Sequence, residues 1–135
     1  MIVVDTNIIA YLYLPSGLSP HAEQLLAQES HWAVPVLWRS ELRNVLALYL
    51  RKGLLSFEQA CAIQTEAEVL LADTEYQVPS LDVMRLVESS DCSAYDCEFV
   101  ALAKHLGVKL VTADKKILKA FPGVAVTLVQ ALDAQ

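Results

Sequence analysis

Residues 2–7, Ile2-Val3-Val4-Asp5-Thr6-Asn7, join a short apolar run to three polar residues at the start of the chain. A short continuous apolar run is typical of a strand that is buried on both faces of a sheet. Asp5 or Thr6 can then cap a helix that continues from Ile8 to Leu14. This order predicts an α/β fold in which the first strand ends on an acidic side chain.

Short apolar runs and amphipathic segments alternate along the rest of the chain. Further strands are predicted at Trp32–Val34, Glu75–Val78, Val108–Thr112 and Val124–Leu128. Helices are predicted at Ser19–Glu29, Val36–Lys52, Ser56–Ala72, Ser80–Glu88, Ser93–Gly107 and Asp114–Ala120. The two long helices form a helical hairpin, with Gly53 as a left-handed cap between them. The alternation predicts one α/β domain over residues 1–135, with a parallel sheet of about five strands flanked by helices.

The composition indicates a globular protein and excludes several other classes. The 135 residues are 55% hydrophobic and 19% charged, with a mean hydropathy of +0.39, which is outside the range of disordered chains. No apolar run reaches the ~18 residues of a membrane span, and the N-terminus lacks the basic segment of a signal peptide. The odd number of cysteines, three, indicates reduced thiols. We therefore expect a cytoplasmic protein that does not bind a membrane.

Two acidic residues fall on predicted apolar helix faces. Glu41 lies in the middle of the face formed by Leu37, Trp38, Val45, Leu48 and Tyr49. Asp96 lies in line with Phe99, Val100, Ala103 and Leu106. A buried carboxylate needs a cation or strong hydrogen-bond donors, so both are candidate site residues. A salt bridge across the core would also explain Glu41, and a capping box with Ser93 would also explain Asp96.

Two more acids directly follow predicted strands. Asp5 and Asp114 each precede a helix, so N-capping is one interpretation of both. The other is a ligand site, because open parallel sheets bind ligands beyond the carboxyl ends of their strands. Four carboxylates at one edge would repel each other without a counter-ion, and oxygen ligands without nearby His or Cys favour Mg²⁺ or Mn²⁺. The chemistry that follows is metal-assisted attack of water on a phosphodiester.

In these motifs the chain resembles the PIN domain, and in particular the small VapC-type toxins of bacterial toxin–antitoxin pairs. The matching motifs, in order along essentially the whole chain, are Val3-Val4-Asp5-Thr6-Asn7, Ser40-Glu41-Leu42, Tyr95-Asp96 followed by Phe99–Ala103, and Leu110-Val111-Thr112-Ala113-Asp114. The resemblance implies a ribonuclease that uses Mg²⁺ or Mn²⁺ on a five-stranded parallel sheet. It assigns the metal-binding and catalytic acids as Asp5, Glu41, Asp96 and Asp114, with Asn7 and Thr112 as supporting residues. Asp91 and Glu98 are nearby acids without an assigned role.

An RNA substrate is unusual for a chain with a net charge of -6 and a pI near 4.9. Basic residues near the motifs could provide sequence-independent contacts with phosphate. These candidates are Arg39, Arg43, Lys104, Lys109, Lys115, Lys116 and Lys119. A solvated surface is the alternative interpretation for at least half of them.

The apolar content also predicts a homodimer, because it exceeds what a chain of this length comfortably buries. Leu46 and Leu50 lie away from the predicted core face of their helix, and the next helix presents Ala60, Ile63 and Ala67 at helical spacing. We expect these patches to pair in an isologous dimer, and a groove across the hairpin to receive an apolar segment of the antitoxin that the resemblance implies. Packing of Leu46 and Leu50 under the neighbouring helix is the alternative.

Two other functions compete with a ribonuclease. A phosphatase could use the strand-end Asp5 as its nucleophile, although Asn7 stands where a second aspartate would act as the acid–base catalyst. The non-enzymatic alternative is a PIN-like domain that only binds a partner. Such a domain has no reason to keep four mutually repelling carboxylates together.

Overall fold

The computed structural model describes residues 1–134, which form a parallel sheet with helices on both faces. The strands are β1 (Ile2–Val4), β2 (Trp32–Pro35), β3 (Glu75–Tyr76), β4 (Leu110–Val111) and β5 (Ala125–Val126). The helices are α1 (Thr6–Tyr13), α2 (Ser19–Gln28), α3 (Trp38–Arg51), α4 (Phe57–Leu71), α5 (Ser80–Glu88), α6 (Ala94–Leu106), α7 (Lys115–Ala120) and α8 (Leu128–Asp133). The predicted α/β class and the five-stranded parallel sheet are confirmed. No helix within the described residues is both long and apolar enough to span a membrane.

The strand order is β3-β2-β1-β4-β5, so the direction of winding reverses at β1. The chain first moves from β1 to β2 and β3, and then returns to place β4 on the other side of β1. Because such crossovers are right-handed, the helices of the two halves cover opposite faces of the sheet. A crevice opens where the order reverses, at the carboxyl ends of β1 and β4. This is the position at which open α/β sheets bind ligands.

The central strand β1 determines where Asp5 lies. Val3 and Val4 are fully buried and pair with Leu110 and Val111 of β4. The Asp5 amide then donates to the Val111 carbonyl over 2.9 Å, which extends the ladder one residue beyond the strand. The Asp5 side chain therefore leaves the sheet at the crevice, beside the residue that follows β4.

The hairpin of α3 and α4 has the predicted connection. Gly53 has a φ of +72°, in the left-handed region that favours glycine, and ends α3. Ser56 and Gln59 then form a reciprocal capping box, in which each side chain accepts a hydrogen bond from the other residue's amide. These two local signals reverse the chain and allow α4 to pack along α3.

The prediction of which side of α3 is buried was wrong in part. Leu46 is 3% exposed and belongs to the core, whereas Leu48 is 49% exposed. The cause is that α3 packs between α1 and α4, so its apolar contacts extend around the helix to the side of Leu46. Ala60 and Ala67 of α4 are also buried. The apolar patch predicted from these residues is therefore largely internal, as the alternative interpretation proposed for Leu46.

The C-terminal segment also differs from the prediction. The last strand ends at Val126, and α8 begins at Leu128, where the sequence had suggested that the strand continues. The reason is a capping box between Thr127 and Gln130, with hydrogen bonds of 2.9 and 3.1 Å. Leu128 and Ala131 of this helix are buried, and α8 packs on α2.

A polar network fixes the base of the hairpin and involves Arg39, which had been a candidate for contact with phosphate. Glu75 of β3 accepts from Arg39 Nε over 2.6 Å and Nη2 over 2.7 Å, and from the indole of the buried Trp38 over 2.7 Å. Arg39 Nη1 also donates to Glu68 of α4 over 3.0 Å. The hydrogen bonds from Arg39 lower the pKa of the Glu75 carboxyl. Arg39 is thus a structural residue that ties α3 to β3 and α4.

Replacing Glu75 by glutamine should destabilise the protein. The amide cannot serve three donors as the carboxylate does, and a buried donor left without an acceptor costs about 1–3 kcal/mol. We expect a lower midpoint in urea unfolding, with an unchanged dependence on denaturant. Glu68→Gln is the matched control, because Glu68 accepts only one hydrogen bond from Arg39, and it should cost less. Equal stability of Glu75→Gln and the unmodified protein would contradict this role.

Candidate active site

All four acids that the sequence singled out line one cavity in the crevice. The cavity measures about 490 Å³ and contains Asp5, Glu41, Asp96 and Asp114. Its other walls are formed by Thr6, Asn7, Leu37, Ser40, Asn44, Val45 and Tyr95. No lysine or arginine of residues 1–134 is among them. The cavity is therefore an acidic site without a built-in counter-charge.

Asp5 is the most restrained of the four acids. It is 7% exposed and caps α1, with Oδ1 accepting from the Thr6 amide over 2.8 Å. Oδ2 accepts from the Thr112 hydroxyl over 2.7 Å and from Asn7 Nδ2 over 3.4 Å. Asp5 thus caps α1, as one of the two interpretations had it, and its side chain also lines the cavity. Its hydrogen bonds hold the carboxylate in a single orientation toward the cavity.

Glu41 enters the cavity from the first turn of α3. Its Oε1 accepts from the Thr6 hydroxyl over 2.7 Å, so neighbouring residues of β1 and α1 orient two acids. Within the described chain no lysine or arginine lies within ion-pair distance of Glu41. A salt bridge across the core, the alternative interpretation of this residue, is therefore absent from the described structure. Thr6 itself was not predicted as a supporting residue, although its place between Asp5 and Asn7 was the available signal.

Asp114 and Thr112 complete the side of the site that follows β4. Asp114 caps α7, accepting at Oδ1 from the amides of Lys116 and Ile117 over 2.8 and 3.2 Å. Its own amide donates to the Thr112 hydroxyl over 3.0 Å. Asn7 accepts from the Ala113 amide over 3.3 Å and so links α1 to this loop. The structure brings together both of the predicted supporting residues, Asn7 and Thr112, with Asp5.

Asp96 comes from the first turn of α6, on the opposite face of the sheet from the hairpin. The Ser93 hydroxyl caps α6 by accepting from the Asp96 amide over 3.1 Å. The return bond of a capping box, from the Asp96 carboxylate to the Ser93 amide, is not present in the described structure. Capping therefore does not account for the position of this carboxylate, and the side chain is directed to the cavity.

Comparison with known proteins places this chain in a known family. A family model described as the PIN domain matches residues 2–122. The chain belongs to the PIN domain family. Ribonuclease VapC3 of Pyrobaculum aerophilum is 32% identical over 124 residues, covering 90% of this chain and 95% of that protein.

Solved structures share the fold of this PIN domain over nearly its whole length. The crystal structure of PAE2754 from Pyrobaculum aerophilum has a TM-score of 0.77 at 22% identity and covers 99% of this chain and 90% of that chain. A toxin–antitoxin complex from Klebsiella pneumoniae contains a chain with a TM-score of 0.69 at 17% identity, covering 95% of this chain and 98% of that chain. At these identities the likeness shows the fold.

Burial, together with the charges of neighbouring acids, raises the pKa values of three acids of this PIN domain, namely Asp5, Glu41 and Asp96. Burial raises the pKa of Glu41 to about 6, and the charges of Asp5, Asp96 and Glu98 add to the effect. Burial is also the main cause of the raised pKa of Asp5, to which Asp96 and Asp114 contribute. The pKa of Asp96 is raised by burial and then by Asp114. The cluster therefore holds unfavourable charge at neutral pH that a cation would relieve.

The donor chemistry of the cavity suits a hard divalent cation. Its polar groups are carboxylates, hydroxyls and amides, without histidine or cysteine, which favours Mg²⁺ or Mn²⁺. Among the described residues, no three His, Cys, Asp or Glu side chains converge closely enough to enclose an ion as they stand. The side chains that would hold it are Asp5, Asp96 and Asp114, together with Glu41. Of the two unassigned acids, Glu98 lies near Glu41, whereas Asp91 lines a different cavity.

The raised pKa values predict that the metal-free protein is more stable at pH 5 than at pH 7. A carboxyl with a folded-state pKa above its unfolded value contributes stability below the unfolded pKa and loses it as the pH rises through the folded pKa. For Glu41 this window extends from 4.5 to about 6. Urea unfolding in EDTA, measured between pH 5 and 7.5, should follow this trend.

Glu41→Gln should flatten that pH dependence, because it removes the titrating group and keeps the shape of the side chain. Glu23→Gln, at an exposed position of α2, is the matched control and should leave the slope unchanged. The comparison between variants cancels the contribution of every group that the substitution leaves in place. If the free energy of unfolding of Glu41→Gln depends on pH as strongly as that of the unmodified protein, the Glu41 carboxyl is not a source of the unfavourable charge.

Proposed function

We propose that residues 1–135 form one nuclease domain, a Mg²⁺- or Mn²⁺-dependent endoribonuclease that serves as the toxin of a toxin–antitoxin pair. The observation that carries the proposal is the cavity at the reversal point of the sheet, which Asp5, Glu41, Asp96 and Asp114 line and in which no lysine or arginine of the described residues takes part. Two comparisons support it. The relative from Pyrobaculum aerophilum is named a ribonuclease, and a toxin–antitoxin complex contains a chain with the same fold.

The chain's own residues prepare the site before any substrate binds. Thr112 and the Thr6 amide hold the two oxygens of Asp5, and the amides at the start of α7 hold Asp114. The Thr6 hydroxyl fixes Glu41 at Oε1. This pre-organisation reduces the reorganisation needed during the reaction. A bound divalent ion supplies positive charge that stabilises the phosphate and makes water more acidic.

In the proposed reaction, water attacks the phosphorus of an RNA phosphodiester and the 3′-oxygen leaves. The bond from phosphorus to the water oxygen forms as the bond to the 3′-oxygen breaks, and the proton lost by water balances the proton taken up by the leaving group. The products carry a 5′-phosphate and a 3′-hydroxyl. The ribose 2′-hydroxyl takes no part, so a 2′,3′-cyclic phosphate is not formed.

The geometry of Asp5 disfavours the phosphatase alternative. An aspartate nucleophile needs a free carboxylate oxygen that faces the substrate. Both oxygens of Asp5 accept short hydrogen bonds, from the Thr6 amide and the Thr112 hydroxyl, and the residue is 7% exposed. The position of Asn7 is also unsuited to acid–base catalysis, because an amide does not titrate.

Cleavage of RNA by the purified protein tests the proposal. We expect cleavage with Mg²⁺ or Mn²⁺, none with EDTA, and fragments that carry a 5′-phosphate. Asp5→Asn and Asp96→Asn should each lower the rate ~100-fold or more, because each removes an anionic ligand of the divalent ion that would stabilise the reacting phosphate. Asp73→Asn, outside the cavity, is the matched control and should retain activity.

Two results would contradict the proposed chemistry. One is a 2′,3′-cyclic phosphate as the main product, and the other is full activity in EDTA. Thermal unfolding of the metal-free variants accompanies the assay, because loss of charge repulsion should leave their midpoints unchanged or higher. If Asp5→Asn unfolds through the loss of its cap, the rate of the Asp96→Asn variant still tests the site.

The same proposal includes a homodimer and an antitoxin partner in the cytoplasm. Six of the exposed apolar side chains in the described structure fall in two regions, which we call the hairpin group and the second group. Leu54, Phe57 and Val69 lie around the hairpin, and Leu81, Met84 and Tyr95 lie on α5 and α6. The hairpin group is the surface for an apolar antitoxin segment, and Leu46, which had been predicted as part of the dimer contact, is buried. The second group lies beside the acidic cavity, with Tyr95 in its wall, and is assigned to the dimer.

Light scattering at micromolar concentration tests this assembly. We expect a mass of twice 14.9 kDa for the unmodified chain, because desolvation of the second group favours an isologous contact. Met84→Glu should give the monomer mass by placing charge in that contact. Phe57→Glu, which alters the hairpin group, is the control and should remain dimeric. A monomer mass for the unmodified chain would rule out the dimer.

A further inference from the structure

A second cavity lies next to the acidic one, between α7 and the loop that follows α5. It measures about 370 Å³, within the range of about 300–1,000 Å³ that is typical of ligand pockets. Its walls are formed by Ser89, Ser90, Asp91, Lys116, Lys119 and Ala120. Two lysines therefore face one cavity in a chain with a net charge of -6.

Lys116 connects this cavity to the acidic site. Its amide donates to Asp114 Oδ1 over 2.8 Å, and Asp114 lines the acidic cavity. Its side-chain charge also reaches Asp96, where it lowers the pKa against the opposing effect of burial. Cys92 Sγ contacts the Lys116 carbonyl at 3.8 Å, which holds the loop after α5 against α7. The segment from Asp114 to Lys116 is thus the wall between the two cavities.

The two lysine side chains are available for a ligand. Lys116 and Lys119 are exposed and lie three residues apart, so they share a face of α7. Neither ammonium group makes a hydrogen bond or an ion pair within residues 1–134. Two other basic candidates are engaged, since Lys109 donates to the Gly123 carbonyl over 2.8 Å and Arg39 is bound to Glu75.

We propose that Lys116 and Lys119 bind a backbone phosphate of the RNA next to the one that is cleaved. This inference rests on the proposed ribonuclease function and adds to it a second subsite with a direction. The RNA backbone would pass from the acidic cavity over the Asp114–Lys116 wall into the lysine cavity. Contacts with phosphate alone give affinity without sequence preference.

The other groups in the lysine cavity limit how it binds phosphate. The hydroxyls of Ser89 and Ser90 donate to the Leu86 carbonyl over 3.3 and 2.7 Å, so their protons are already used. Asp91 adds a negative charge to the wall and opposes phosphate. The two ammonium groups therefore supply the attraction, and the affinity for RNA should increase when Asp91 is replaced by asparagine.

The salt dependence of RNA binding tests the subsite. The full chain carries Asp5→Asn so that a labelled single-stranded RNA remains intact, and its affinity is measured across a range of KCl concentrations. Each phosphate contact contributes about 0.7 to the slope of log affinity against log salt on a single strand. Because the two lysines share one phosphate, the double variant Lys116→Ala/Lys119→Ala should reduce the slope by about 0.7 and weaken binding about fivefold at 0.1 M salt, and each single variant should account for about half of this change.

Lys115→Ala is the matched control, because it removes the same charge from the same helix at a residue outside the cavity. It should change the slope by less than half as much. Equal slopes for Lys115→Ala and Lys119→Ala would overturn the inference. In that case the lysines would attract RNA through the general electrostatic field of the helix and not through contact with one phosphate. Stronger binding of a polyglutamate peptide than of RNA at the two lysines would also overturn it. So would loss of binding of inorganic phosphate in Lys119→Ala with RNA binding unchanged.

Cleavage assays separate this inference from the proposed function. If the unmodified chain cleaves RNA and the lysine variants keep their slopes, the subsite is wrong and the ribonuclease remains. If the lysine variants weaken RNA binding but the unmodified chain cleaves no RNA with either metal ion, the subsite remains and the catalytic function is wrong.

Discussion

The hydrogen bond between the Asp5 carboxylate and the Thr112 hydroxyl joins the two central strands at the point where the strand order reverses. A buried carboxylate is unfavourable unless donors replace its water, and here Thr112 and the Thr6 amide do so. The same two threonines contact two of the other three acids, because the Thr6 hydroxyl donates to Glu41 and the Thr112 hydroxyl accepts from the Asp114 amide. The positions of three of the four acids thus depend on residues at the ends of β1 and β4.

Much of the site could be predicted because its acids conflict with their local patterns. Glu41 and Asp96 interrupt apolar helix faces, and Asp5 and Asp114 end apolar strands, so each is visible in a short window of sequence. The parallel order of the sheet then brings those windows to one edge. A short stretch of sequence does not show the hydrogen bonds that its residues make with a distant stretch. The role of Thr6 toward Glu41, 35 residues away, needed the structure.

The errors have the same origin in contacts between distant segments. A helical wheel assumes one buried side, but α3 packs against both α1 and α4, so Leu46 is buried and Leu48 is exposed. Arg39 was interpreted as a surface charge because its partner, Glu75, lies 36 residues further along the chain. The missed helix α8 is different, since its capping box joins Thr127 and Gln130, which are three residues apart, and could have been recognised in the sequence. The apolar run before it favoured an extended strand.

The separation of charges would explain how an acidic protein acts on RNA, the proposed substrate. Four carboxylates line one cavity, where a divalent ion would offset their charge, and burial together with the neighbouring acids raises the pKa of Glu41 there. Attraction for RNA must then come from lysines outside that cavity, because long-range charge is screened within about 10 Å at 0.1 M salt. Lys116 satisfies this constraint, since it faces the neighbouring cavity and still acts on Asp96. The overall charge of the chain is therefore a poor guide to its ligand, whereas the position of each charge relative to the crevice is informative.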